Sequence, residues 1–201
     1  VIKNMKLDSD ASRFDLYIKE ELYGSFEVPL FGKHMVSDAV AAILICRHIG
    51  IEKEVIYNAL KTFKNAKRRF AISRVGRTII VDDYAHHPTE IKSTLEAVRQ
   101  RFPDKRVVVV FKPNTYSRTI DFKDDFIDAL NVADKAFLTE IDCNREKQED
   151  YPGVNSQIII DGLRDGELIS EETIDKLVPE LDSVICFMSC ANIYIIIDAF
   201  K

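Results

Sequence analysis

Thr78-Ile79-Ile80-Val81-Asp82-Asp83-Tyr84-Ala85-His86-His87-Pro88 changes character within a few residues. The β-branched run suits a strand buried on both faces. Two carboxylates, a phenol and two imidazoles follow, and Pro88 stands where proline favours the first turn of a helix. Strand, polar turn, helix is the repeating unit of an open α/β sheet, and ligands bind such sheets beyond the carboxyl ends of the strands. Half of the chain's 4 histidines lie in this one turn.

The same alternation continues downstream. The helix from Pro88 to Phe102 places Ile91, Leu95, Val98 and Phe102 on one stripe. A strand over Arg106–Phe111 leads to a helix over Asp121–Leu130, and a strand over Ala136–Thr139 leads to a helix over Val154–Leu163. Weaker strands are predicted near Leu168 and over Ser183–Met188, with a last helix from about Asn192 to Phe200. Residues 68–201 therefore read as an α/β, Rossmann-like domain with a mainly parallel sheet flanked by helices. The turn after the first strand lacks G-x-G-x-x-G, so it is not a dinucleotide-binding version of that fold.

Upstream, residues 1–67 are different. Phe14, Leu16 and Ile18, then Phe26, Val28 and Leu30, predict an antiparallel pair turning at Tyr23-Gly24-Ser25. Helices are predicted over His34–Ile49, stopped by Gly50, and over Lys53–Phe63. Two strands and two helices make a thin core, so this segment reads as the end of another domain. The basic link Lys67-Arg68-Arg69, just before Phe70, marks the change from one pattern to the other.

A net charge of -5 argues against a broad nucleic-acid surface. Apolar runs such as Ala39–Cys46 fall far short of the roughly 20 residues that span a bilayer, so no membrane insertion is expected. The 4 cysteines show no C-x-x-C pairing, which places the chain in the reducing cytoplasm. Cys46 and Cys186 fall in apolar elements and read as packing residues. Nothing in the pattern specifies an oligomeric state.

Four constellations can carry chemistry, each with a plainer reading. In the first, Asp82 and Asp83 can simply end a strand and His87 cap a helix, which leaves Tyr84 and His86 unexplained. Asp82, Asp83, His86 and His87 would suit a metal-dependent hydrolase, although no further ligands complete a cage. The second is Phe111-Lys112-Pro113-Asn114-Thr115-Tyr116-Ser117-Arg118-Thr119, expected in the adjacent loop, where Arg118 is either a bidentate clamp for a carboxylate or a solvated side chain. The third is the basic link, whose arginine can meet a nucleotide phosphate or only water. In the fourth, Phe31-Gly32-Lys33-His34-Met35-Val36-Ser37-Asp38, a glycine turn opens a helix whose amino end attracts anions, or His34 lies at the surface beside an ordinary cap.

Taken in order, G-x-H at a helix start, an R-R-F link, D-D-Y-A-H-H-P-T-E and F-x-P-x-x-Y-S-R-T resemble the Mur ligase family over nearly the whole chain. The resemblance implies that residues 68–201 are that family's carboxy-terminal domain and residues 1–67 the tail of its central ATPase domain. It implies ATP-dependent amide formation in peptidoglycan precursor synthesis: the lactyl carboxylate of UDP-N-acetylmuramate is activated by ATP and Mg as an acyl phosphate, which the amine of L-alanine attacks. By the same resemblance Arg69 reaches phosphate, Asp83 reaches ribose and His34 lies at the nucleotide. Tyr84, His86 and Arg118 receive the amino acid, with Arg118 on its carboxylate and His86 near its amine.

The sequence departs from the family's pattern at Met35 and Asp38, where asparagines are usual, at Asn114 for a histidine, and at Ser189-Cys190-Ala191 for a G-A-G turn. The family's G-x-x-G-K-T phosphate loop, magnesium ligands and UDP-binding domain would precede Val1. The polypeptide by itself is therefore expected to be inactive. The alternatives are a non-catalytic binding module derived from such a ligase and the related ligase that recycles muropeptides.

Overall fold

A computed structural model describes residues 1–200 of the chain. They form two compact units: Val1–Asn65 with Glu96–Pro103, and Ala66–Leu95 with the chain from Asp104 onward.

In the first unit β1 (Ile2–Leu7), β2 (Ser12–Ile18) and β3 (Glu21–Val28) make an antiparallel sheet in that order. The hairpin turns at Lys19 and Glu20, both with left-handed φ, and not at Tyr23-Gly24-Ser25 as the glycine suggested. Gly24 instead marks a break in register, with Leu16 opposite Gly24 but Tyr17 opposite Leu22, which is what an unpaired extra residue produces. Strand β1 was not expected, because its middle residues are all exposed and give no apolar alternation. Helices α1 (Lys33–His48) and α2 (Lys53–Lys61) supply Val36, Ala39, Ile43 and Ile56 to a core with Phe14, Leu16, Phe26 and Val28.

The second unit holds a six-stranded sheet in the order β4-β5-β9-β6-β7-β8. Its strands are β4 (Ala71–Val75), β5 (Thr78–Asp83), β6 (Val107–Phe111), β7 (Lys135–Leu138), β8 (Gly166–Leu168) and β9 (Val184–Met188). All neighbours run parallel except β4, an antiparallel edge strand joined to β5 by a tight turn at Gly76-Arg77. Strands β6 and β9 are wholly buried, as strands covered on both faces must be.

Three helical expectations need correction. The helix expected over Asp121–Leu130 is α5 (Lys123–Leu130), and a separate short helix, α4 (Tyr116–Asp121), precedes it across Phe122 where none was expected. That expected over Val154–Leu163 shrinks to α6 (Gln157–Ile160). A 3-10 segment over Glu171–Glu180, opened by a capping box at Ser170 and Thr173, lies where only loop was expected. The helix after β5 is α3 (Pro88–Arg101), and the last is α7 (Tyr194–Phe200). No helix among the described residues is long and apolar enough to cross a membrane.

The placement of β9 decides what faces what. It lies between β5 and β6, with Asp83 level with Met188 and Met188 level with Phe111. The loops after β5 and β6 are therefore not neighbours, as their order in the chain suggested. The turn Ser189-Cys190-Ala191 leaves the sheet between them.

Candidate functional site

The end of β5 is fastened by its own carboxylate. Asp83, only 6% exposed, accepts from the backbone N–H of Phe70 at 2.7 Å, the N–H of Ala85 at 2.9 Å and the Thr94 hydroxyl at 3.3 Å. Burial pushes this carboxyl above its ordinary range even against those three donors. One of those donors belongs to the link. Arg68 and Phe70 hold left-handed φ of 57° and 52°, a conformation that costs non-glycine residues energy unless neighbours fix it. Here they do: the Asp83 carboxylate takes the Phe70 N–H, and the Tyr84 N–H donates to the Arg68 carbonyl at 2.9 Å.

The two arginines of the link have separate fates. Arg68 donates to the carbonyls of Ser189 and, at 3.2 Å, Ala191, and its guanidinium lies 5.2 Å from the Tyr84 ring and 5.4 Å from the Tyr194 ring. Its Nε stands 3.8 Å from Asp82, whose other oxygen accepts from the Tyr194 hydroxyl at 3.1 Å. Arg68 thus ties the link to the end of β9. Arg69 also lies against Tyr84, at 5.2 Å, but its side chain is exposed and its charge is felt by Glu90 and Asp83.

Beyond Tyr84 the turn is organised by Glu90. One oxygen, Oε2, accepts the N–H of His86 at 3.0 Å and of His87 at 3.2 Å. These are donors that the start of a helix leaves without partners inside it. His87 takes the Thr89 N–H on its Nδ1 at 3.3 Å, which bears out the capping reading of that histidine. His86 packs edge-on to Tyr84 with ring centres 5.4 Å apart.

On the far side of β9, Lys112 bridges to Asp142 at 3.4 Å and to the Asn192 carbonyl at 3.2 Å. Thr115 opens α4 with a φ of 67°, an outlier for a β-branched residue. The N–H groups of Tyr116 and Ser117 go to Glu146 at 2.6 and 3.0 Å, and the Ser117 hydroxyl also binds that carboxylate. Arg118 has a buried Nη1 with no hydrogen-bond partner, and its positive charge reaches both Glu146 and Cys190. Burial pushes the Cys190 thiol above its ordinary value, the reverse of what a nucleophile needs.

The second unit therefore brings Arg69, Asp83, Tyr84, His86 and Arg118 to the carboxyl edge of β5, β9 and β6. His34 belongs to the first unit. Its ring folds over Gly32, whose φ is 92° and where an added Cβ would come within 2.7 Å of the imidazole. Only glycine suits that turn. Glu90, Glu146 and Tyr194 were missed by sequence reasoning, and Arg68, flagged there within the basic link, is a tether to the end of β9. Glu90 left a signal, an acidic residue in the first turn of a helix; Glu146 and Tyr194 left none. Among the described residues no group of His, Cys, Asp and Glu side chains is arranged to hold a metal ion, so Asp82, Asp83, His86 and His87 do not form a cage.

The family profile described as "Mur ligase, glutamate ligase domain" matches residues 68–188. The chain belongs to the Mur ligase family. It is 38% identical over 194 residues to the UDP-N-acetylmuramate--L-alanine ligase of Lactococcus lactis subsp. cremoris (strain SK11), covering 95% of this chain and 43% of that protein. The chain thus spans less than half the length of this curated relative. In fold it is similar to the UDP-N-acetylmuramate-alanine ligase MurC of Thermotoga maritima, with a TM-score of 0.78 and 20% identity over 99% of this chain and 44% of that one. The MurF ligase of Thermotoga maritima in complex with ADP gives a TM-score of 0.73 at 18% identity over 100% of this chain and 45% of that one. The match begins at Arg68, the residue with which the link is tied to β9.

Proposed function

We propose that this chain is the carboxy-terminal part of an ATP-dependent ligase of the cytoplasm that joins L-alanine to the lactyl carboxylate of UDP-N-acetylmuramate. The observation that carries the reading is that β5, which leads through D-D-Y-A-H-H-P-T-E, and β6, which leads toward Y-S-R-T, end level with one another on either side of β9. The same chain shares 38% of its residues with a ligase of that name. In this reading residues 1–67 end the central ATP-binding domain and residues 68–201 form the carboxy-terminal domain.

Roles follow from what each side chain has left to give. Arg69 is the link arginine still exposed, so it is the one to meet a nucleotide phosphate. Asp83 is committed to internal donors in this conformation, and a ribose hydroxyl would use the lone pair remaining on Oδ2. Arg118, with a guanidinium nitrogen free of partners, suits the carboxylate of the amino acid. Tyr84 and His86 line the amine side, where a neutral imidazole can take a proton from the incoming ammonium.

ATP, when bound, supplies the phosphoryl group that turns a carboxylate into an acyl phosphate. The residues present suit its phosphate and ribose, and among the described residues no group of side chains forms a ligand set for Mg. The 201 residues contain no G-x-x-G-K-T loop, and the chain alone is expected to form no amide.

The test is phosphate release by the gene's complete product with ATP, UDP-N-acetylmuramate and L-alanine, alongside L-alanyl peptides as competing acceptors. Activity with L-alanine, and a KM for it that rises at least tenfold in Arg118→Ala, is the expected result. Turnover only with a peptide would transfer the reading to the muropeptide-recycling ligase. No turnover with either would leave a binding module.

A further inference from the structure

We infer that Glu90 is a positioning residue for His86, fixing which ring nitrogen carries the proton and leaving Nε2 as the base. The catalytic consequence rests on the proposed function above, in which His86 meets the amine; the geometry does not. Glu90 Oε2 is held in place by the backbone N–H groups of His86 and His87, so its position does not depend on the imidazole. The same oxygen lies 3.1 Å from His86 Nδ1. The carbonyl oxygen of Tyr84 is also 3.1 Å from Nδ1.

Both neighbours of Nδ1 are therefore acceptors. A lone pair there would face two oxygens, whereas a proton there donates to the Tyr84 carbonyl and lies within ion-pair distance of the Glu90 carboxylate, so the neutral ring carries its hydrogen on Nδ1. This is the reverse of the preference of free histidine, which favours Nε2–H. Burial alone would raise the Glu90 carboxyl, but the two backbone donors and the charge of Arg69 help to hold it below its ordinary range, so it remains an acceptor. The Tyr84 ring limits rotation from one side.

Proton accounting follows. When the amine gives up a proton, its N–H bond breaks and an Nε2–H bond forms. The Nδ1 proton stays where it is, and the new positive charge lies against the Glu90 carboxylate. A carboxylate that holds a histidine in one tautomer and stabilises its charged form does the same work in hydrolases of unrelated fold.

The test is long-range nitrogen–proton correlation spectroscopy of His86 in the 201-residue chain at alkaline pH. Wild type should show the Nδ1–H tautomer. Glu90→Ala leaves only the Tyr84 carbonyl at Nδ1 and should shift the population toward Nε2–H, and Glu90→Gln, whose amide oxygen can occupy the same place, should shift it back toward Nδ1–H. An Nε2–H ring in wild type, an unchanged ring in Glu90→Ala or a lack of restoration in Glu90→Gln each overturns the inference. If Glu90→Ala does not fold, the wild-type ring and Glu90→Gln decide. No substrate enters this readout. An Nδ1–H ring in a protein without ligase activity would remove the proposed function and keep the positioning, whereas an Nε2–H ring in an active ligase would do the opposite.

Discussion

The loops after β5 and β6 each bring a helix start to the carboxyl edge of the sheet, and in each the first backbone N–H groups are taken by a glutamate. After β5 the glutamate is local, Glu90, four positions beyond His86 in the helix it caps. After β6 it is Glu146, reaching Ser117 from a loop 29 residues away. The first turn is therefore set by its own sequence. The second takes its shape only once another loop has arrived, so the surroundings of Arg118 depend on the segment after β7.

The sharpest way to break this comparison is Asp83→Ala. It strands the Phe70 and Ala85 N–H groups and the Thr94 hydroxyl, and should cost about 3 kcal/mol in urea unfolding, because buried donors without acceptors are expensive. A loss below about 1 kcal/mol would mean that the link is held by something else. Next comes Arg68→Ala, expected to cost about 2 kcal/mol through its carbonyl and aromatic contacts. Arg69→Ala should stay within about 0.5 kcal/mol of wild type, since its side chain is exposed. Equal losses from the two arginines would erase the distinction between tether and ligand contact.

Removing either cap should cost about 1 kcal/mol, but in different places. Glu146→Ala should speed hydrogen exchange at Tyr116 and Ser117 and leave His86 and His87 protected; Glu90→Ala should do the reverse. Exchange that rises at both loops in either variant would show the loops to be coupled and not independent.

The smallest effect is on pH. Glu90 and Glu146 are both held below the ordinary glutamate range, against burial, Glu90 by the N–H groups it caps and Glu146 first by the Ser117 hydroxyl and then by its N–H groups. Their contribution is present above the unfolded value and lost as pH falls through the folded one. Asp83 is shifted upward by burial, so its contribution has the opposite sign, present below the unfolded value and lost as pH rises through the folded one. Melting temperature against pH should have a flatter acid limb in Glu90→Gln/Glu146→Gln than in wild type.

The β5 turn was legible in the sequence because its contacts are short in range. A β-branched run, a proline at the first helical position and an acidic residue in the first turn are local instructions. Edge strands β1 and β4 were not legible, since their middle residues are exposed and carry no apolar alternation. The turn Gly76-Arg77 between Val75 and Thr78 was the overlooked sign of β4. Tyr194 and Glu146 act across long separations that no spacing rule encodes. The greatest gap was strand order, because the apolar pattern of Val184–Met188 says that it is a strand but not which strands it separates.

The position of β9 also sets a schedule for the nascent chain. Strands β5 and β6 do not pair with each other, and their shared partner is synthesised after both, so although β5 can pair with β4 and β6 with β7, the inner edge of each stays unpaired until Val184–Met188 has left the ribosome. Ordering the middle of the sheet then closes long loops all at once, which slows folding and leaves unpaired strand edges exposed in the meantime. Loss of the last few dozen residues would remove the central seam of the sheet and leave the candidate site with no floor.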